Sequence, residues 1–143
     1  MTTVKDVLDQ KGRDVYSISP DASVYEALNL MAEKNIASLV VLEDGKPIGI
    51  MSERLYAREI VLKGRTSVGT FVRQIMSTRV LYARPNQSVQ ECMAVMAAKG
   101  VRHLPVLQNE ELAGIVSIGD LVKSVIGEQR FAIEQYENYI HGG

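Results

Sequence analysis

The sequence predicts an α/β fold made of two similar repeats that pack together. Short apolar runs rich in Val and Ile alternate with segments whose apolar residues recur at helical spacing. The same order of segments occurs twice along the 143 residues. Each copy is shorter than about 60 residues, too short to bury a large core alone, so the copies should pack against each other.

The duplication becomes visible when the second copy is shifted by 65 positions. This shift lays residues 80–127 on residues 15–62 without a gap. Fourteen positions are then identical, and in the first copy they are Val15, Pro20, Ser23, Val24, Glu26, Met31, Ala32, Lys34, Leu39, Val41, Leu42, Gly49, Ile50 and Ser52. We therefore expect both copies to run strand, helix, strand, strand, helix.

The first copy follows a short helix. Apolar spacing predicts that helix over residues 2–10 and a brief strand over residues 15–18. Ser23 and Glu26 then form a capping-box pattern, which indicates the start of the next helix. Residues 88–91 repeat the pattern in the second copy.

Two strands and a helix complete the first copy. Apolar runs at residues 37–42 and 48–51 flank the Asp-Gly pair at 44–45, which favours a tight hairpin turn. A helix is expected over residues 53–63, and Gly64 should end it.

The second copy repeats this order after a short helix predicted over residues 68–76. Apolar runs at 104–107 and 113–117 predict a hairpin, and the spacing becomes helical from Asp120 onward. The free amides and positive dipole end of that first helical turn favour an anion. The first copy has Leu55 where the second has Asp120.

Charge and hydropathy restrict the class of protein. The chain is 46% hydrophobic and 23% charged, and its formal net charge is −1, which argues against a dedicated nucleic-acid or membrane-surface binder. No apolar run approaches the length of a membrane span, and the first residues lack the apolar region of a signal peptide. The expected location is the cytoplasm.

No catalytic or metal-binding constellation is recognisable. His103 and His141 lie far apart, and Cys92 falls on the apolar face of a predicted helix. A catalytic mechanism needs a positioned nucleophile, base or metal. We therefore expect no enzyme activity, no catalytic residue and no metal site.

Each copy contains a Gly-hydrophobic-x-Ser motif, which is followed by Asp120 in the second copy. This arrangement resembles a tandem pair of cystathionine beta-synthase (CBS) domains, or Bateman module. The resemblance covers nearly the whole chain. It divides the chain into a first repeat with the N-terminal helix, 1–66, and a second with the linker and C-terminal helices, 67–143. Residues 51–65 and 127–143 are most similar to small stand-alone bacterial CBS-pair proteins and plant organellar relatives.

The resemblance implies a regulatory module for signal transduction that binds an adenine nucleotide, with AMP expected and ATP or NAD(H) as alternatives. In the family the acid of the motif accepts from ribose hydroxyls and the serine contacts phosphate. In the family, each nucleotide-binding site contains residues from both copies. The implied nucleotide-binding residues are Tyr16, Ile36, Ala37, Arg102, His103, Ile115, Ser117 and Asp120. Among these, the arginine and the histidine are expected near the phosphate and the first-copy residues around the base, with Ile115 beneath it.

Structural interpretations of the same residues stay open. Ser117 and Asp120 can be only a helix cap, and His103 can be a hydrogen-bonded structural histidine. Leu55 cannot accept a hydrogen bond, so the first copy is expected to hold a degenerate second site at most, and a solvated helix face explains its two arginines equally well. The residues of this degenerate site are Ser52, Arg54 and Arg58.

Partners are expected at two levels. CBS pairs associate as dimers, and a homodimer is predicted through apolar residues that recur at alternating four- and three-residue spacing along the last helix, with Gln129 interrupting. These residues are Val122, Ile126, Ile133, Tyr136 and Ile140, and a tail folded back on its own chain is the alternative. The alternative function is a nucleotide-independent module that regulates a transporter, a kinase or a redox partner. Neither nucleic acid nor membrane is expected as a partner.

Overall fold

A computed structural model describes residues 2–140, with side chains to residue 138. The described chain contains six α-helices, five β-strands and one π-helical turn at Ala57–Val61. The helices are α1 (Val4–Lys11), α2 (Val24–Lys34), α3 (Glu53–Tyr56), α4 (Val72–Ile75), α5 (Val89–Lys99) and α6 (Ile118–Ile140), and the strands are β1 (Ser17–Ile18), β2 (Ser38–Glu43), β3 (Lys46–Ser52), β4 (His103–Gln108) and β5 (Glu111–Ser117). Within residues 2–140, no helix combines the length and the hydropathy that crossing a bilayer requires.

The chain folds into two compact units. The middle unit comprises Asp14–Leu81, and the terminal unit combines the described residues up to Arg13 with those from Tyr82 onward. Helix α1 precedes the first repeat in sequence but belongs to the terminal unit, where it contacts β5 and α6. Helix α4 precedes the second repeat but belongs to the middle unit. The division of the sequence into repeats 1–66 and 67–143 stays a prediction.

The middle unit is built on a three-stranded sheet of order β1-β2-β3. Strand β1 runs parallel to β2, and β2 runs antiparallel to β3 with a bulge at Val41/Leu42. The predicted turn is confirmed, because Asp44 and Gly45 have positive φ angles of 52° and 76°, as a type I′ hairpin turn requires. Side chains from α2, the sheet, the π turn and α4 form its core: Val24, Ala27, Met31, Leu39, Val41, Met51, Ile60, Val72 and Ile75.

The terminal unit is built on the antiparallel β4-β5 hairpin, which also has a bulge, at Val106/Leu107. The strand expected before α5 is reduced to one parallel bridge between Ala83 and Val106. Apolar side chains of α1, α5, α6 and the hairpin are buried around it, and they include Val4, Leu8, Val89, Cys92, Met96, Leu104, Val116 and Leu121.

The predicted helix starts at Ser23 and Ser88 are confirmed. Each serine hydroxyl accepts a hydrogen bond of 3.1 Å from the amide three residues later, which satisfies one free donor of α2 or α5.

Two predicted helices of the middle unit differ from the structure. The helix expected over residues 53–63 is α3 followed by the π turn, in which the Leu62 amide donates to the Ala57 carbonyl. Ile60 is buried in this turn, whereas Val61 is 57% exposed. Sequence periodicity does not distinguish a π turn from an α-helix over so few residues. The helix expected over residues 68–76 is only the four residues of α4.

Candidate functional site

Ser117 and Asp120 meet where β5 ends and α6 begins. The Ser117 amide donates to Asp120 Oδ2 over 2.8 Å, and the Asp120 amide donates to Ser117 Oγ over 3.1 Å. These reciprocal bonds have the pattern of a capping box. They fix the carboxylate at the N-terminus of a 23-residue helix.

Lys11, the last residue of α1, also holds this carboxylate. Its Nζ donates to Asp120 Oδ2 over 2.7 Å and to the Ile115 carbonyl over 2.9 Å. The lysine side chain is 34% exposed and that of the aspartate 20%. The ion pair is therefore only partly screened by solvent.

Arg102 and His103 lie at the same end of the hairpin. His103 opens β4 and pairs directly with Ser117 across the strands. The Arg102 carbonyl accepts from the Ile118 amide over 2.9 Å, and the Arg102 residue is exposed. The structure thus brings together the five predicted site residues that lie in the terminal unit: Arg102, His103, Ile115, Ser117 and Asp120.

Burial and charge set the protonation of this end of the hairpin. Burial opposes ionisation of Asp120, but hydrogen bonds from Lys11 and Ser117 outweigh it and lower the pKa of the carboxyl. The pKa of His103 is lowered chiefly by burial, and Lys11 and Arg102 add to this effect while Asp120 opposes it. At neutral pH the cluster therefore carries an ionised aspartate, two cations and a neutral imidazole.

The lowered pKa of His103 predicts a loss of stability on mild acidification. Because the folded pKa lies below the ordinary value of 6.5, the unfolded chain binds the proton more readily. This contribution to stability is complete above pH 6.5 and is lost as pH falls through the folded pKa. Urea unfolding between pH 7 and 5 should show a decline of up to about 1.4 kcal/mol per pH unit. The decline should flatten in His103→Gln, and equal slopes in the two proteins would contradict this assignment.

Three predicted site residues lie in the middle unit. The Tyr16 carbonyl accepts from the Val40 amide over 3.2 Å, and the Lys34 ammonium lies 5.3 Å from the centre of the Tyr16 ring. Ile36 and Ala37 lead into β2, and the Ala37 carbonyl accepts from the Glu53 amide over 3.1 Å. This bond matches that from Ile118 to Arg102, so the two repeats have the same local geometry at this point.

The degenerate site has the same scaffold without the acid. Ser52 pairs with Ser38 across the strands, and its hydroxyl accepts from the Leu55 amide over 3.2 Å. Leu55 therefore occupies the position of Asp120 in an equivalent cap but offers no acceptor. Arg54 and Arg58 are exposed, as the solvated-face interpretation also expects.

Lys11 is the residue of this cluster that the sequence did not indicate. In the sequence it reads only as a basic residue at the end of a helix, where cations are common. Its partner is 109 positions away, and no local pattern indicates such a contact.

Cys92 and the side chains that can bind metals lie in the following arrangement among the described residues. Cys92 is buried in α5, and burial raises the pKa of its thiol, which keeps it in the less reactive form. Across residues 2–140, no three His, Cys, Asp or Glu side chains are grouped as metal ligands would be.

Comparison with known proteins identifies the family. A sequence profile described as the CBS domain matches residues 3–61 and 72–127. The chain belongs to the CBS domain family. Each matched segment contains one of the two hairpins and the serine cap that follows it. The predicted tandem CBS pair and its α/β fold are therefore confirmed.

Similar CBS proteins come from plants and bacteria. The chain is 34% identical over 151 residues to the mitochondrial CBS domain-containing protein CBSX3 of Arabidopsis thaliana, covering 99% of this chain and 73% of that protein. A solved structure of a protein with CBS domains from Burkholderia ambifaria MC40-6 is 48% identical, with a TM-score of 0.85 over 90% of this chain and 96% of that one.

A more distant CBS pair shares the fold. The CBS domain pair of protein MJ0100, solved in complex with 5-methylthioadenosine and S-adenosyl-L-methionine, is 22% identical, with a TM-score of 0.77. The alignment covers 90% of this chain and 98% of that one.

Proposed function

We propose that the chain is a non-catalytic regulatory module that binds an adenine nucleotide, with AMP as the preferred ligand. The observation that carries this proposal is the pattern of hydrogen bonds at the two oxygens of the Asp120 carboxylate. Among the described residues, its hydrogen bonds from Lys11 and Ser117 both fall on Oδ2. Oδ1 is left to accept hydrogen bonds from a ligand.

A carboxylate held in this way suits a ribose diol. The two hydroxyls of a ribose donate hydrogen bonds, and bonds to an ionised acceptor are stronger than neutral ones. Because Lys11 and Ser117 already orient the group, little side-chain freedom is lost when the ligand binds. The capping and binding roles of Asp120 are therefore compatible, since each uses a different oxygen.

The adenosine part of the proposal draws on the family. The two ligands in the MJ0100 structure are both adenosine derivatives. In this chain Lys11 and Arg102 lie beside Asp120 and Ser117, which favours a ligand with a phosphate attached to the ribose. ATP and NAD(H) share that part with AMP. The assignment of Tyr16, Ile36 and Ala37 to the base stays a prediction from the resemblance.

Thermal denaturation with AMP, ATP and NAD(H) tests this function. A ligand that binds only the native protein raises its free energy of unfolding by mass action, by about 2.7 kcal/mol at a ligand concentration of one hundred times the Kd. The melting temperature rises accordingly. Calorimetric titration should then give one dominant AMP site per chain, because Leu55 removes the acceptor from the other repeat. No rise with any of these nucleotides would favour the nucleotide-independent module, in which the cap at Ser117 and Asp120 has no ligand.

The regulated target is a separate question from the ligand. A transporter, a kinase or a redox protein each suits a module that reports nucleotide occupancy, and no nucleic-acid or membrane partner is proposed. We place the chain in the cytoplasm, although its Arabidopsis thaliana relative is named as mitochondrial.

A homodimer is expected through α6. Phe131, Ile133 and Tyr136 are 64%, 57% and 67% exposed, an unusual amount of apolar surface for one helix. Val122 and Ile126 continue the predicted seam toward the hairpin, while the side chain of Ile140 lies outside the described residues.

Light scattering at micromolar concentrations should therefore give twice the chain mass of 15.8 kDa. The double variant Ile133→Glu/Tyr136→Glu should give the monomer mass, because four buried carboxylates in one interface carry a large desolvation cost. Gln135→Glu, which lies off the seam, is the matched control and should stay dimeric. A monomer mass for the unmodified protein rules out the dimer.

A further inference from the structure

Lys11 comes from a distant part of the sequence, unlike Arg102, His103, Ile115, Ser117 and Asp120, which lie in or beside the β4-β5 hairpin. It ends α1, and its ammonium contacts both Asp120 Oδ2 and the Ile115 carbonyl. Leu8 lies one turn earlier in α1 and is 1% exposed. Its burial anchors the helix against the hairpin. The lysine is thus held at the site by the fold and not only by its partner.

The charge balance at this end of the hairpin depends on Lys11. Asp120 contributes one negative charge, and the Lys11 ammonium neutralises it from 2.7 Å. Lys11 and Arg102 are both exposed residues, but the Lys11 ammonium is fixed 2.7 Å from the carboxylate and its side chain is 34% exposed, so its charge is only partly screened by solvent. Without Lys11, an approaching phosphate would meet a carboxylate whose charge is no longer compensated.

We propose that Lys11 determines the preference of this site for nucleotides that carry a 5′ phosphate over the uncharged nucleoside. The inference rests on the proposed function and names the residue that determines its preference for a phosphate. Lys11 acts as a specificity residue through charge. The orientation of Asp120 is retained without it, because the Ser117 amide still donates to Oδ2 over 2.8 Å.

The effects on AMP and on adenosine should therefore differ. In Lys11→Met, AMP binding should weaken about tenfold, the loss expected for one charge-assisted contact, while adenosine binding should change less than about threefold. The dependence of AMP affinity on salt should also decrease, since one partly exposed cation is gone. Lys11→Arg should retain the preference for AMP, because the charge is conserved.

Titration calorimetry of AMP and adenosine against the full-length variants tests the inference. Lys5→Met is the matched control, because Lys5 lies on the same helix but pairs with Asp9 at an exposed site. If Lys11→Met proves unstable, Lys11→Gln keeps a hydrogen-bond donor without the charge and should show the same loss of preference. Equal weakening of AMP and adenosine, or no change in either, overturns the role of Lys11 and leaves the nucleotide site standing. An unmodified protein that binds neither ligand overturns the proposed function and this inference together.

Discussion

Replacing Asp120 with alanine is expected to weaken AMP binding roughly ten- to a hundredfold. Each charge-assisted hydrogen bond from a ribose hydroxyl is worth about 1.5–3 kcal/mol, and about 1.4 kcal/mol corresponds to one decade of affinity. The unliganded fold should lose only about 1 kcal/mol, the usual cost of a helix cap. The released Lys11 side chain is partly exposed and can be solvated.

Two further variants separate binding from capping at this position. Asp120→Asn can still cap α6 but accepts less strongly from a diol, so it should bind AMP more weakly than the unmodified protein at nearly unchanged stability. Asp9→Ala removes another carboxylate of the same unit, one that pairs with Lys5 and Arg13 and not with Lys11, and should leave AMP binding unchanged. A variant at Asp120 that melts earlier yet binds AMP normally would identify the residue as a cap alone.

Replacing Gly49 with alanine is expected to destabilise the middle unit by roughly 1–3 kcal/mol, the usual cost of overpacking a tight core. A Cβ at this position would lie 2.7 Å from Met76 Sδ and 2.9 Å from the Ser77 carbonyl oxygen. That carbonyl cannot withdraw easily, because it accepts from the Ile50 amide over 3.0 Å. Urea denaturation measures the loss.

Gly127→Ala is the control for the loss of a glycine. Nothing lies within 4 Å of a Cβ at Gly127, inside α6, so alanine there should raise stability by roughly 0.5–1 kcal/mol through helix propensity. If Gly49→Ala is as stable as the unmodified protein, the close contact between β3 and the segment after α4 is wrong.

The sequence was sufficient to predict what depends on local pattern. Apolar runs predicted strands β2 to β5, capping serines predicted the starts of α2 and α5, and the Asp-Gly pair predicted the β2-β3 turn, because each feature acts within a few residues. The duplication aligned Ser52 with Ser117, and the hydroxyls of the two serines accept equivalent hydrogen bonds.

What the sequence did not predict depends on contacts between distant segments. Helices α1 and α4 each precede one repeat in sequence but belong to the unit that contains the other repeat, as Leu8 beside Gly114 and Met76 beside Gly49 show. Periodicity indicates that a helix has an apolar face but does not identify the surface that the face covers. The contact of Lys11 with Asp120 was missed for the same reason.

The central claim is that Asp120 accepts hydrogen bonds from a ribose, and titration calorimetry of AMP and 2′-deoxy-AMP tests it most directly. The unmodified protein should bind AMP about tenfold more tightly than 2′-deoxy-AMP, because removing the hydroxyl removes one charge-assisted bond. In Asp120→Ala most of that preference should disappear, and the four titrations form a double-mutant cycle that isolates the contact. An unchanged preference for AMP in the alanine variant would contradict the assignment of Asp120 to the ribose.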